Sequence, residues 1–222
     1  MYGCSPTWSA DWISEKNLRL TLDQLARTIE PSPCGPAMIG LSHGLHFTGG
    51  EPFMNFELLC RATEIAADLR IPSLFVETNG YWASDDNEAK EKLTALKERG
   101  LAGMMVSVNP FYLEYVPFER TERAVRIGSE VFGPNLAVYQ IEYFEQFSQI
   151  GVRGRMAFEE YLKHRPIESF GRDAEFFFMG RAPYSLENHL RSVYPGQAAR
   201  RSFSRPCTPS FARRRHNHFD NY

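Results

Sequence analysis

The stretch Leu45-His-Phe-Thr-Gly-Gly-Glu-Pro52 restricts the fold more than any other part of the chain. An apolar strand runs directly into two glycines, a carboxylate and a proline, and a helix predicted over Asn55 to Arg70 follows. The glycines let a ligand approach the backbone closely. Glu51 offers a fixed acceptor pair, and Pro52 ends strand pairing just before the helix. Strand ends carrying such loops are where α/β proteins put their chemistry.

The same unit recurs along the chain. Apolar runs at Gly44 to Thr48, Ser73 to Thr78, Gly103 to Val108, Leu136 to Phe144 and Glu175 to Met179 read as strands. Helices are predicted between and after them: Leu22 to Glu30 with Thr21 as cap, Asn55 to Arg70, Asp85 to Arg99, Phe118 to Phe132, Met156 to His164 and Ser185 to Tyr194. Strands alternating with helices in this order imply parallel βαβ units. Two regions follow: residues 1–195 as the α/β body, and 196–222 as an arginine-rich extension without apolar periodicity, expected to be a loop.

Three landmarks on consecutive strands carry a resemblance. Phe47-Thr-Gly-Gly-Glu-Pro-Phe53 resembles the Gly-Gly-Glu-Pro motif of radical S-adenosylmethionine enzymes. Leu74-Phe-Val-Glu-Thr-Asn-Gly80 is similar to that family's third strand, and Met104-Met-Val-Ser-Val-Asn-Pro110 to its fourth. The resemblance implies a partial parallel (β/α)6 barrel of TIM-like type, with the first strand and its cluster loop missing here. It also implies a [4Fe-4S] cluster and S-adenosylmethionine as cofactors, and a one-electron donor as partner. The substrate class is a small molecule, peptide or cofactor precursor. In such enzymes a carbon–sulfur bond is broken by one electron, and the radical that results takes hydrogen from the substrate.

The residues the resemblance assigns to S-adenosylmethionine are Gly49, Gly50, Glu51, Pro52, Thr78, Asn79, Ser107 and Asn109. Gly49 and Gly50 give the methionine moiety room, and Glu51 addresses its ammonium. Thr78, Asn79, Ser107 and Asn109 supply short hydrogen-bonding groups for the ribose or the carboxylate. The family's cluster motif, C-x3-C-x2-C, is not present. Cys4 is the one cysteine in the right region, and if it were the third ligand the second would fall on Met1, which cannot act as a thiolate. The intact Gly-Gly-Glu-Pro favours loss of the upstream segment over decay of the site. The rival reading from another class is a non-catalytic barrel that binds a ligand or partner. A phosphate-binding barrel using Gly49-Gly50 ranks last, because Glu51 would repel phosphate.

Other features have plainer readings. His43 and His46 flank the strand and read as structural histidines, and Cys60 reads as a packing residue on its helix. Gln140, Glu142 and Arg181 lie near the expected strand ends by position alone. The segment from Cys207 to Tyr222 resembles the opening of cysteine-containing C-terminal extensions that hold an auxiliary cluster in some radical enzymes; Cys207, His216 and His218 could also ligate zinc, but their spacing fits no standard site. With a net charge of −2 and 23% charged residues, the chain lacks the basic excess of a general nucleic-acid or membrane-surface binder. Four scattered cysteines suggest no disulfide framework, and a reducing cytoplasm is the expected setting.

A first prediction concerns iron. This polypeptide is expected not to assemble a four-iron cluster, since Cys4 is the single thiolate the motif region offers where three are needed. Anaerobic reconstitution with iron and sulfide analysis checks this. A stoichiometric cluster that survives Cys4→Ala would overturn it.

Overall fold

The computed structural model describes residues 11–166, together with Leu186 and the segment Asn217–Phe219. It is an α/β structure built on one parallel sheet. The elements in order are α1 (Glu15–Leu25), β1 (Leu45–Phe47), α2 (Phe56–Asp68), β2 (Phe75–Thr78), α3 (Asp86–Glu98), β3 (Gly103–Ser107), α4 (Pro110–Leu113), α5 (Phe118–Phe132), β4 (Leu136–Tyr139), α6 (Ile141–Ile150), α7 (Phe158–His164) and β5 (Asn217–Phe219). Strand order is β4-β3-β2-β1-β5, every neighbour parallel.

The two faces of the sheet differ in chemistry because strand side chains alternate. Leu45, Phe47, Val76, Met104 and Val106 join the main apolar core, where Leu59, Ile65, Leu93, Leu96 and Ile127 of α2, α3 and α5 meet them. Phe75 and Met105 are also buried but stand outside that core, on the other face. That second face carries His46, Glu77 and Ser107 as well. The loop Ile39–Gly40–Leu41, with Phe75, Met105 and Leu136, encloses a cavity of about 260 Å³ there.

Local chemistry explains the helix boundaries. The Asp85 carboxylate accepts from the amides of Asn87 and Glu88 and starts α3. Asn55 caps α2 through the Leu58 amide, and Asn109 caps α4 through the amides of Phe111 and Tyr112. Helices α3 and α5 are joined at the surface by Asp86, 2.6 Å from both Arg123 and Arg126. Those two guanidiniums hold the Asp86 carboxyl below its usual range.

The sequence reading needs three corrections. The first helix starts at Glu15 and not Leu22, because Ser14 accepts from the Asn17 amide and the buried residues are Leu18 and Leu22. The strand expected over Leu136 to Phe144 stops at Tyr139. Gln140 adopts a left-handed backbone (φ +62°), and Ile141–Ile150 coils so that Tyr143 and Phe147, four apart, share one buried face. Within the extension expected to be a loop, Asn217–Phe219 is a strand paired with β1. The strand expected over Glu175 to Met179 lies outside the described residues, as does the helix over Ser185 to Tyr194 apart from Leu186, which is helical and buried. Among the described residues no helix is long and apolar enough to cross a membrane.

Two backbones cross closely at the start of β1. Gly44 has φ +77°, and a Cβ there would lie 2.3 Å from the Ser73 carbonyl oxygen. Gly44→Ala is therefore expected to cost about 2 kcal/mol or more, combining left-handed strain with overpacking. Urea unfolding followed by circular dichroism checks this, and an unchanged midpoint would show that β1 can shift to make room.

Candidate functional site

Parallel pairing brings the ends of β1, β2 and β3 to one edge of the sheet. His46 is in register with Phe75, Thr78 with Val106, and Ser107 with Tyr139. The residues following each strand therefore emerge side by side: Thr48 to Glu51 after β1, Asn79 and Gly80 after β2, and Val108 and Asn109 after β3. The eight residues assigned by resemblance thus share a neighbourhood, but their side chains do different things.

Glu51 is buried, and both its oxygens face donors from this chain. Oε1 accepts from the Phe53 amide at 3.2 Å and the Thr78 hydroxyl at 2.8 Å, while Oε2 accepts from the Asn79 amide at 2.8 Å. Hydrogen bonds to a charged group contribute roughly 1.5–3 kcal/mol each, so three of them favour the ionised form. Burial outweighs them here and pushes the Glu51 carboxyl up to about 7, with the nearby Glu77 adding to the rise. The group is thus a tie between the β1 loop and the end of β2. It does not turn toward open space.

Thr78 extends that tie. Its hydroxyl also accepts from the Trp82 indole at 2.9 Å and the Gly80 amide at 3.1 Å. Trp82 stacks on Phe53 with ring centroids 4.1 Å apart, and Phe53 follows Pro52 in the short 3-10 turn Pro52–Asn55. Asn79 Oδ1 accepts from the Tyr81 amide, and Asn109 Oδ1 is occupied as the α4 cap. Thr78, Asn79 and Asn109 therefore build loops with the groups that sequence assigned to a ligand.

Gly49 (φ +91°) and Gly50 (φ +37°) have the backbone freedom the sequence implied. At Gly50 an added Cβ would meet nothing within 4 Å, so the loop borders open space.

A second carboxylate, Glu77, lies on the sheet face of His46 and Phe75 and was passed over in the sequence reading. Its side chain is 24% exposed. Oε2 accepts from the Thr48 hydroxyl at 3.0 Å, and Oε1 accepts from the Ser107 hydroxyl. His46 Nε2 lies 3.8 Å from Oε2, with the His46 ring itself buried against Phe75. One sequence signal was available: Glu77 is a charged residue inside an otherwise apolar parallel strand, where a buried charge is costly unless it has a task or partners.

Cys4, Arg181, Cys207 and His216 lie outside the described residues, and Glu142 is on the first turn of α6. Cys34 and Cys60 are free thiols, with burial raising the Cys60 thiol. Among the described residues no three His, Cys, Asp or Glu side chains form a metal-binding group.

The Glu51 tie gives a pH prediction. Its folded value of about 7 lies above its ordinary 4.5, so the folded state holds the proton more tightly. The stabilisation this gives is complete below about 4.5 and is lost as pH rises through about 7. Relative to Glu51→Gln, the parent is expected to lose stability between about pH 5 and about pH 8. Urea midpoints at the two pH values check this, and a constant difference would refute the buried, proton-holding role. Neither a scan against protein-family models nor a search of curated proteins returns a match to this chain.

Proposed function

We propose that this chain is an S-adenosylmethionine-binding partial (β/α)6 barrel of the radical S-adenosylmethionine class, acting in a cytoplasmic setting on a small molecule, peptide or cofactor precursor. The observation carrying this reading is the delivery of the Gly49-Gly50 loop, Thr78-Asn79 and Ser107-Asn109 to one edge of a parallel sheet, with open space at Gly50. Two free thiols in the described part fit a reducing compartment.

The described residues do not fit a three-thiolate cluster, since Cys34 and Cys60 share no site with a third donor. They do fit the amino-acid end of S-adenosylmethionine. Glu77 supplies an anion for an ammonium or sulfonium, with Thr48 and Ser107 fixing the direction of its oxygens. Gly50 lets main-chain groups approach the ligand, and Glu51 positions that loop without touching it. In this class the bound cofactors supply one-electron cleavage of a carbon–sulfur bond, and the protein contributes binding, orientation and exclusion of water.

Binding of S-adenosylmethionine to the chain, measured by calorimetry, tests the reading. Glu77→Gln is expected to weaken binding by about 1.5–3 kcal/mol, the range for a hydrogen bond to a charged group. No binding by the parent, or equal binding by the variant, would sink it.

A further inference from the structure

The cavity of about 260 Å³ on the second face of the sheet has no part in the S-adenosylmethionine reading. Side-chain size along neighbouring strands creates it. Phe75 of β2 and Met105 of β3 are large and buried, whereas Ala137, the register partner of Met105 on β4, adds a single methyl group beside it. Gly103, the register partner of Phe75, adds no side chain. Ile39, from the loop before β1, takes that place: a Cβ on Gly103 would lie 2.7 Å from an Ile39 methyl carbon.

Polar bonds hold this loop off the sheet, so it cannot settle into the remaining space. The Asn135 carboxamide accepts from the Ile39 amide at 3.2 Å and donates to the Ala37 and Ala102 carbonyls at 2.7 and 3.0 Å. Further along, the His43 amide donates to the Gly40 carbonyl at 3.2 Å. The cavity is thus preformed. Leu41, 57% exposed, and the half-buried Ala137 both line it, which puts its opening beside β4, at one end of the strand order.

We propose that this cavity binds an uncharged aromatic molecule of two fused rings. An apolar cavity of about 150 Å³ stays dry and takes benzene, so about 260 Å³ has room for a second ring. The described side chains that line it are all apolar, so a charged ligand would lose hydration there and gain no partner from them. The Phe75 ring and the Met105 thioether favour an aromatic plane over an alkyl chain. His46 packs on that Phe75 ring with centroids 4.9 Å apart, which fixes its orientation. An empty void leaves its lining atoms without contacts on one side, and a bound ring restores them.

The site does not rest on the S-adenosylmethionine reading. Indole, titrated into the full chain without S-adenosylmethionine, tests it by calorimetry and by nuclear magnetic resonance of isotope-labelled methionine methyl groups. One equivalent is expected to bind, to raise the melting temperature and to shift the Met105 methyl signal. The signal of Met54, a largely exposed residue away from the cavity, should stay in place. Ala137→Leu, which fills the space, should weaken binding by about tenfold or more. Leu20→Ala, at an exposed apolar residue of α1, should bind as the parent does. The methyl signals read the site in the parent itself, so the test survives if Ala137→Leu does not fold. The proposal falls if the parent shows no saturable one-to-one binding, if folded Ala137→Leu binds indole as tightly as the parent, or if indole leaves the Met105 signal unmoved.

Discussion

The Glu51 carboxylate holds the candidate site together. It follows two glycines with positive φ, the least constrained backbone in the site. Left alone, that loop would sample many conformations. Three donors from two elements fix it, binding the end of β1 to the end of β2 and to the 3-10 turn that leads into α2. The cost is a carboxyl buried deeply enough to hold its proton near neutrality. An apolar residue here would avoid that cost, but it would leave the Asn79 amide and the Thr78 hydroxyl without their acceptor. The acid is therefore retained because the loop needs an acceptor at that point.

The same sheet separates structure from chemistry by face. On the helix side the residues are apolar and closely packed, with Leu45, Val76 and Val106 essentially without exposure. On the open side, polar residues alternate with Phe75 and Met105. Glu77 can remain largely buried there because two hydroxyls donate to its oxygens. On the proposed reading, this is the carboxylate that an ammonium or sulfonium would meet.

The central βα units were legible in the sequence, and the reasons are local. Helix α5 runs from Phe118 to Phe132 as its apolar spacing implies, and Asp85 and Gly100 mark the ends of α3 as cap and stop residues do. What was hidden depended on partners far along the chain. Nothing in Asn217-His-Phe219 signals a strand until β1 is beside it. Gln140 takes a conformation that sequence assigns to glycine or asparagine, so the turn into α6 went unseen. In the site, the positions were legible but the division of roles was not. Glu51, Thr78 and Asn109 look like ligand-binding groups in a motif, yet their oxygens accept from neighbouring backbone amides. Glu77 looked like an ordinary strand residue because its hydroxyl partners come from the loop after β1 and from β3.

The other end of β1 is equally constrained, and this completes the geometry. Ser73 adopts a positive φ of 53°, its amide donates to the Pro36 carbonyl at 2.7 Å, and its hydroxyl accepts from the Ser32 amide at 2.9 Å. Gly44 passes directly against it and donates to the Glu30 carbonyl. A three-residue strand has few ladder bonds of its own, so its position is set by what grips its ends. Gly44 and Ser73 grip one end, and Glu51 grips the other. With both ends fixed, a ligand bound there on the proposed reading would meet a surface already in place, and less of its binding energy would go into ordering the protein.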